Sequence, residues 1–174
     1  MIFELIDDLV FPDPYLGEED GLLCIGGDLS VERLLLAYSN GIFPWYAFRS
    51  GQIRWYCPLD RFVIFPNEIH VSHSMRTLLN KGIYNCTINT AFEQVIGHCG
   101  ELREKELGAW LGEDMKRAYT ELHRRGYAAS VEVWEDSRLV GGLYGVTNWR
   151  CFFGESMFSL VPSASNNSSL NFEI

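Results

Sequence analysis

One carboxylate, Glu155, stands inside the aromatic and thioether stretch Cys151-Phe152-Phe153-Gly154-Glu155-Ser156-Met157-Phe158-Ser159. An acid among apolar side chains is costly to bury unless it is paired or hydrogen-bonded, so Glu155 either faces water from a strand or is chemically employed. Several other chemistries lack their residues. His70, His73, His98 and His123 form no HExxH pair, and His70 and His73 have no evident third ligand, so no metal is expected. No GxGxxG or GxxxxGK[ST] occurs. The glycines of Gly141-Gly142-Leu143-Tyr144-Gly145 fall inside a strand signal, where they mark a bulge or a close backbone approach rather than a phosphate loop. Ser156 follows Gly154-Glu155 instead of standing in GxSxG, which argues against a serine hydrolase.

The elements that must position this segment can be read from period and punctuation. Gly26-Gly27-Asp28-Leu29-Ser30 is a turn ending in an N-cap, followed by a helix from Val31 to Asn40 with Leu34, Leu35 and Tyr38 on one face and Gly41 as its stop. Two aromatic clusters with prolines, Ile42 to Tyr46 and Ile53 to Pro58, suit loops or edge strands better than a central sheet position. Phe62-Val63-Ile64-Phe65 reads as a strand, and Ser72 caps a helix through Met75, Leu78 and Leu79 to Gly82. After a strand from Asn85 to Asn89, Thr90-Ala91-Phe92-Glu93 reads as a capping box opening a helix with Val95 and Ile96 on its apolar face. A further helix spans Gly112 to Arg125, with Met115, Ala118, Tyr119 and Leu122 sharing a face. Three strand signals close the pattern: Ala128 to Trp134, Arg138 to Val146 across an Asp136-Ser137 turn, and Trp149 to Phe153 across Thr147-Asn148. A helical pair followed by an antiparallel meander is an α+β arrangement.

Composition bounds the class. The 174 residues are 47% hydrophobic and 14% aromatic, enough for a substantial core. No run reaches the length of a membrane span and the N-terminus lacks a basic signal-peptide region, so a cytoplasmic protein with no membrane partner is expected. The five cysteines are scattered without CxxC spacing, which fits reduced structural thiols. A net charge of −9 argues against generic nucleic-acid binding but leaves room for a local basic groove. The first twenty residues carry Glu4, Asp7, Asp8, Asp13, Glu18, Glu19 and Asp20 without Lys or Arg, either a solvated edge or an attraction for a cationic partner.

In combination these segments resemble one family, the leucyl/phenylalanyl-tRNA-protein transferases. The resemblance is carried by Gly21-Leu22-Leu23, Gly26-Gly27-Asp28-Leu29-Ser30, Gly41-Ile42-Phe43-Pro44-Trp45, Trp55 with Pro58, His70 with Ser72 and Ser74-Met75, Trp110, Glu132-Val133-Trp134, Leu139 to Gly142, Tyr144-Gly145-Val146 and Gly154 to Ser159. It runs in unbroken order over roughly residues 20 to 160.

The resemblance implies an enzyme that moves leucine or phenylalanine from aminoacyl-tRNA to the N-terminal Arg or Lys of proteins, marking them for degradation by the bacterial N-end rule, with no cofactor. It implies an N-acetyltransferase-like mixed sheet with helices over residues 61–160 and a small N-terminal domain over 1–60; the polar, turn-prone stretch over 161–174 departs from the family and is expected to be a disordered tail. Trp45 and Trp110 would hold the terminal adenosine, Leu143, Phe152, Gly154 and Met157 would line the side-chain pocket, Tyr119 and Ser156 would join the substrate-binding set, and Glu155 would sit at the reacting ester. There it acts as base, holds the incoming ammonium, or orients the ester. An ester is already activated, so placing a neutral amine at its carbonyl and managing one proton suffices.

Family members continue past this motif to an Asp-x-Gln element, where Ser163-Ala164-Ser165-Asn166-Asn167 stands instead, so a truncated or frameshifted member lacking the C-terminal part of the fold is expected. The basic patch is thin, with Arg76 and Lys81 separated by Thr77 and Asn80. Two alternatives are an inactive remnant that binds the aminoacyl-tRNA 3′ end, and an acyl-CoA-dependent N-acyltransferase, disfavoured by the lack of a glycine-rich pyrophosphate turn.

Overall fold

The computed structural model describes residues 2–46, 51–107 and 112–161. Trp110 and the tail from residue 162 lie outside the described residues. The chain forms two compact units, Met1–Phe62 with Arg103–Glu121, and Val63–Leu102 with Leu122–Ile174. Each unit holds a four-stranded sheet. No helix among the described residues is long and apolar enough to cross a membrane.

In the first unit the sheet order is β1 (Phe3–Leu5), β2 (Leu22–Gly26), β4 (Ile53–Tyr56), β3 (Phe43–Tyr46), with β1 and β2 parallel and the other pairs antiparallel. Helix α1 (Val31–Ser39) is capped as its sequence requires. The Ser30 hydroxyl accepts from the Arg33 amide at 3.4 Å, and Gly41, at φ +71°, lets the amide of Ile42 return to the Ala37 carbonyl at 2.9 Å. The expectation that both aromatic clusters avoid a central position holds for β3, at the sheet edge with Pro44, and fails for β4, which is interior. Pro58 falls beyond the end of β4 and so removes no ladder donor. Trp55 is consequently a core residue, its indole N–H donating to the Gly26 carbonyl at 2.9 Å and its ring edge-on to Phe11 at 4.9 Å.

Arg33 is fully buried and ties the N-terminal segment down. Its guanidinium donates to the carbonyls of Ile6 (3.1 Å), Asp7 (3.3 Å) and Asp8 (3.2 Å), and its Nε pairs with Asp28 at 3.2 Å. Burial pushes the Asp28 carboxyl up, but the Ser30 hydroxyl and amide and the Arg33 charge outweigh it and hold the carboxyl below its ordinary range.

The second unit contains α2 (His73–Asn80), β5 (Tyr84–Ile88), most of α3 (Phe92–Leu107), the end of α4 (Glu113–Arg124), β6 (Ala128–Glu135), β7 (Arg138–Asn148) and β8 (Cys151–Ser159). The sheet order is β5-β6-β7-β8, and all three ladders are antiparallel. The mixed sheet expected here is thus antiparallel throughout the described strands, and the parallel pair lies in the first unit instead. From α3, Phe92 and His98 contact Tyr144 and Phe158, with ring centroids 5.9 and 4.8 Å apart, so the helix covers one face of the sheet.

Three local expectations change. Phe62 to Phe65 forms no strand and is exposed, because strand propensity is not satisfied by pairing with any described strand. β8 begins at Cys151 and runs to Ser159, and the turn before it is Trp149-Arg150 rather than Thr147-Asn148. The glutamate at the start of α3 is the third. Glu93 does not close a capping box but is exposed and pairs with Arg124 at 3.3 Å. The α3 N-terminus is satisfied from β6, by Glu132, whose fully buried carboxylate accepts from the amides of Thr90 and Ala91, both at 3.3 Å. Its oxygens also accept from the hydroxyls of Thr87 (2.6 Å), Thr90 (2.9 Å) and Ser130 (2.5 Å).

None of the five cysteines is in a disulfide; Cys24, Cys57 and Cys99 are buried, Cys86 is half-buried and Cys151 is exposed. Burial pushes the Cys24 thiol up to about 12, with Arg33 offsetting only part, and burial raises Cys86 as well. A thiol reagent at neutral pH is therefore expected to modify Cys151 first, and Cys24, Cys57 and Cys99 only on unfolding. Mass spectrometry of a labelling time course checks this, and rapid native labelling of Cys24 would contradict it.

Candidate active site

The antiparallel register decides which side chains meet. Residues opposite one another on β7 and β8 share a face, and successive residues alternate. The ladder pairs Thr147 with Phe152, Gly145 with Gly154, Tyr144 with Ser156, Leu143 with Met157 and Gly142 with Phe158. Between Tyr144 and Gly145, consecutive on β7, strand β8 carries one extra residue, Glu155. Glu155 therefore sits on a β-bulge, the local device by which a strand bends and re-aims a side chain. It is half-buried.

Phe152, Gly154, Met157 and Leu143 fall on one face, the one turned away from Phe92 and His98. Glycines open that face. A Cβ on Gly145 would collide with the Phe153 carbonyl and the Phe152 ring, so only glycine lets Phe152 lie against the strand. A Cβ on Gly154 would stand 3.7 Å from both Leu143 Cδ1 and Phe152 Cε1. Gly154 is thus a floor flanked by an aliphatic and an aromatic wall, with Leu143 buried and Met157 44% exposed at the rim. Such a recess selects by size and shape.

Other expected site residues are placed elsewhere. Ser156 faces the α3 side with Tyr144, buried, its hydroxyl without a hydrogen-bond partner among the described residues. Tyr119, in the first unit, is fully buried, and its hydroxyl lies 2.6 Å from that of Tyr38. Trp45 lies on edge strand β3, 46% exposed, with Tyr56 edge-on to it at 6.3 Å. Trp110 is outside the described residues. Among the described residues no three His, Cys, Asp or Glu gather as a metal-binding group. Sequence reasoning passed over Gly145 as a support of the Phe152 wall and Glu132 as the buried clamp behind the sheet. Glu132 carried the signal that singled out Glu155, an acid in an apolar strand.

Together, fold and site define an α+β protein of two sheet-bearing units, with a small apolar recess beside one carboxylate at a strand bulge. Residues 63–172 match the family described as leucyl/phenylalanyl-tRNA protein transferase, and residues 27–59 match the N-terminal domain of the same family. The chain belongs to the leucyl/phenylalanyl-tRNA protein transferase family. The match continues to residue 172, past residue 161 where the sequence reading began its tail. The leucyl/phenylalanyl-tRNA–protein transferase of Desulforapulum autotrophicum is 49% identical over 165 residues, covering 94% of this chain and 72% of the relative. That of Syntrophobacter fumaroxidans is 50% identical over 165 residues, 94% of this chain and 70% of the relative. That of Flavobacterium psychrophilum is 50% identical over 163 residues, 92% and 76% respectively.

Proposed function

We propose that this chain transfers leucine or phenylalanine from an aminoacyl-tRNA to the N-terminal amine of an acceptor protein ending in Arg or Lys, in the cytoplasm, as a tag for degradation. The observation that carries the reading is the Gly154 floor between Leu143 and Phe152, one residue from the bulged Glu155. The leucyl or phenylalanyl side chain enters that recess and sets its ester carbonyl beside the carboxylate. The exposed Trp45 offers a face for the terminal adenine. The acceptor nitrogen attacks the carbonyl carbon, an amide bond forms, and the bond to the ribose oxygen breaks. One amine proton passes to Glu155 and from it to the departing ribose oxygen, which leaves as a hydroxyl and returns Glu155 to its carboxylate form. An α-amine titrates at about 7.7 to 8.0, so a nearby carboxylate assists without extreme tuning. The order β5, α3, α4, β6, β7, β8, with the strands adjacent in that sequence, supports an N-acetyltransferase-like arrangement.

Incubation of the full chain with labelled Phe-tRNA and an Arg-ended acceptor tests the proposal. Label in the acceptor is expected, and none, with folded protein and intact Phe-tRNA, would overturn the activity. The recess makes a sharper prediction. Gly154 has ordinary φ and room for one methyl, so Gly154→Ala is expected to fold normally while raising the floor. Phenylalanine transfer should then fall by roughly tenfold or more relative to leucine, the scale of one methylene in an apolar pocket. Competition between the two charged tRNAs measures the ratio, and an unchanged ratio would remove Gly154 from the pocket.

A further inference from the structure

The β7–β8 turn is a two-residue reversal, since Asn148 pairs with Cys151. Its first residue, Trp149, has φ +56° and is 98% exposed; its second, Arg150, is also exposed. Neither choice is explained by folding. A left-handed φ suits glycine or asparagine and strains a bulky aromatic, and an indole in water contributes no burial. Neither residue makes a hydrogen bond, ion pair or ring contact with another described residue. The turn is tied to the site by chain length alone: Trp149 is three residues before Phe152, so their Cα atoms are within about 11 Å.

We infer that Trp149 and Arg150 form a platform for the unpaired nucleotides preceding the charged ribose of the tRNA, Trp149 stacking on a base and Arg150 meeting a phosphate. The inference rests on the function proposed above. An aminoacyl group in the recess is esterified to the terminal ribose, so the 3′ strand must leave the recess past one of its ends, and Phe152 leads directly to this turn. A flat exposed ring accepts any base face, and a planar guanidinium is suited to phosphate oxygens. In a chain of net charge −9, an exposed cation at this tip gives the polyanion a point of attachment.

The test compares equilibrium binding of Phe-tRNA with that of puromycin, which mimics the terminal aminoacyl-adenosine but lacks the preceding nucleotides. Trp149→Gly suits the left-handed φ, so its Tm should be unchanged or higher. It is expected to weaken Phe-tRNA binding about tenfold while leaving puromycin binding unchanged. Trp149→Phe should retain most of the affinity, and Arg150→Gln should reduce the salt dependence of Phe-tRNA binding by about one ion. Unchanged Phe-tRNA affinity in Trp149→Gly, equal loss of both ligands, or a change in self-association instead of tRNA binding would overturn the inference. If the wild-type chain binds neither ligand, the proposed function falls instead.

Discussion

Glu155→Gln is expected to lower the rate of phenylalanyl transfer at saturating substrate by about 10²- to 10⁴-fold, the range for loss of a positioned proton acceptor. Puromycin binding should change little, because glutamine matches the volume of glutamate at the bulge and the recess walls are untouched. The pH profile separates the roles open to the carboxylate. At pH 7 most of an α-amine is protonated and needs a group to accept its proton or hold it, whereas at pH 9 most is already neutral. A deficit that narrows between pH 7 and 9 identifies proton management, and one that stays constant identifies orientation of the ester. Wild-type rates for the variant at both pH values would exclude Glu155 from the chemistry.

Glu132→Ala is expected to destabilise the protein by about 3 kcal/mol, without touching the recess. The five donors that converge on this carboxylate would lose their acceptor, in a place where Ser130 and Ala91 are shielded from water. The amides of Thr90 and Ala91 also lie at the positive end of α3, so the helix would lose its cap along with its tie to β6. For a chain of this size that corresponds to a fall in Tm of about 6–12 °C. Glu132→Gln should be milder, since the amide keeps one acceptor but adds a donor facing donors. A thermal melt within about 1 °C of wild type for Glu132→Ala would show that the clamp is not energetic.

These two residues also show what could be read from sequence. α1, α4 and the meander of β6 and β7 were legible because their signals are local: a Ser cap, a Gly stop, an apolar face at helical spacing, a run of β-branched residues. The recess was legible only as a resemblance. That Phe152, Gly154, Met157 and Leu143 share a face depends on register, which no single strand encodes. The α3 cap was misassigned because two candidate acids, Glu93 and Glu132, differ only in tertiary placement, one three residues from the cap and one more than forty away. Phe62 to Phe65 has strand composition without a strand, since pairing is a property of the partner as much as of the segment. Trp149 was placed in a strand for the same reason that it is unusual in a turn.

The bulge at Glu155 separates the residues that shape the recess from the acid beside it. Phe152 and Gly154 are two residues apart, as on any strand, whereas Gly154 and Met157 are three apart and yet face the same way. Deletion of Glu155 would remove the bulge and leave Ser156, Met157 and Phe158 opposite Tyr144, Leu143 and Gly142 as a regular ladder, with the recess walls in place and the carboxylate gone. The extra residue thus serves the acid and not the walls: the same apolar faces would stand on a regular strand, and the bulge adds a carboxylate beside them.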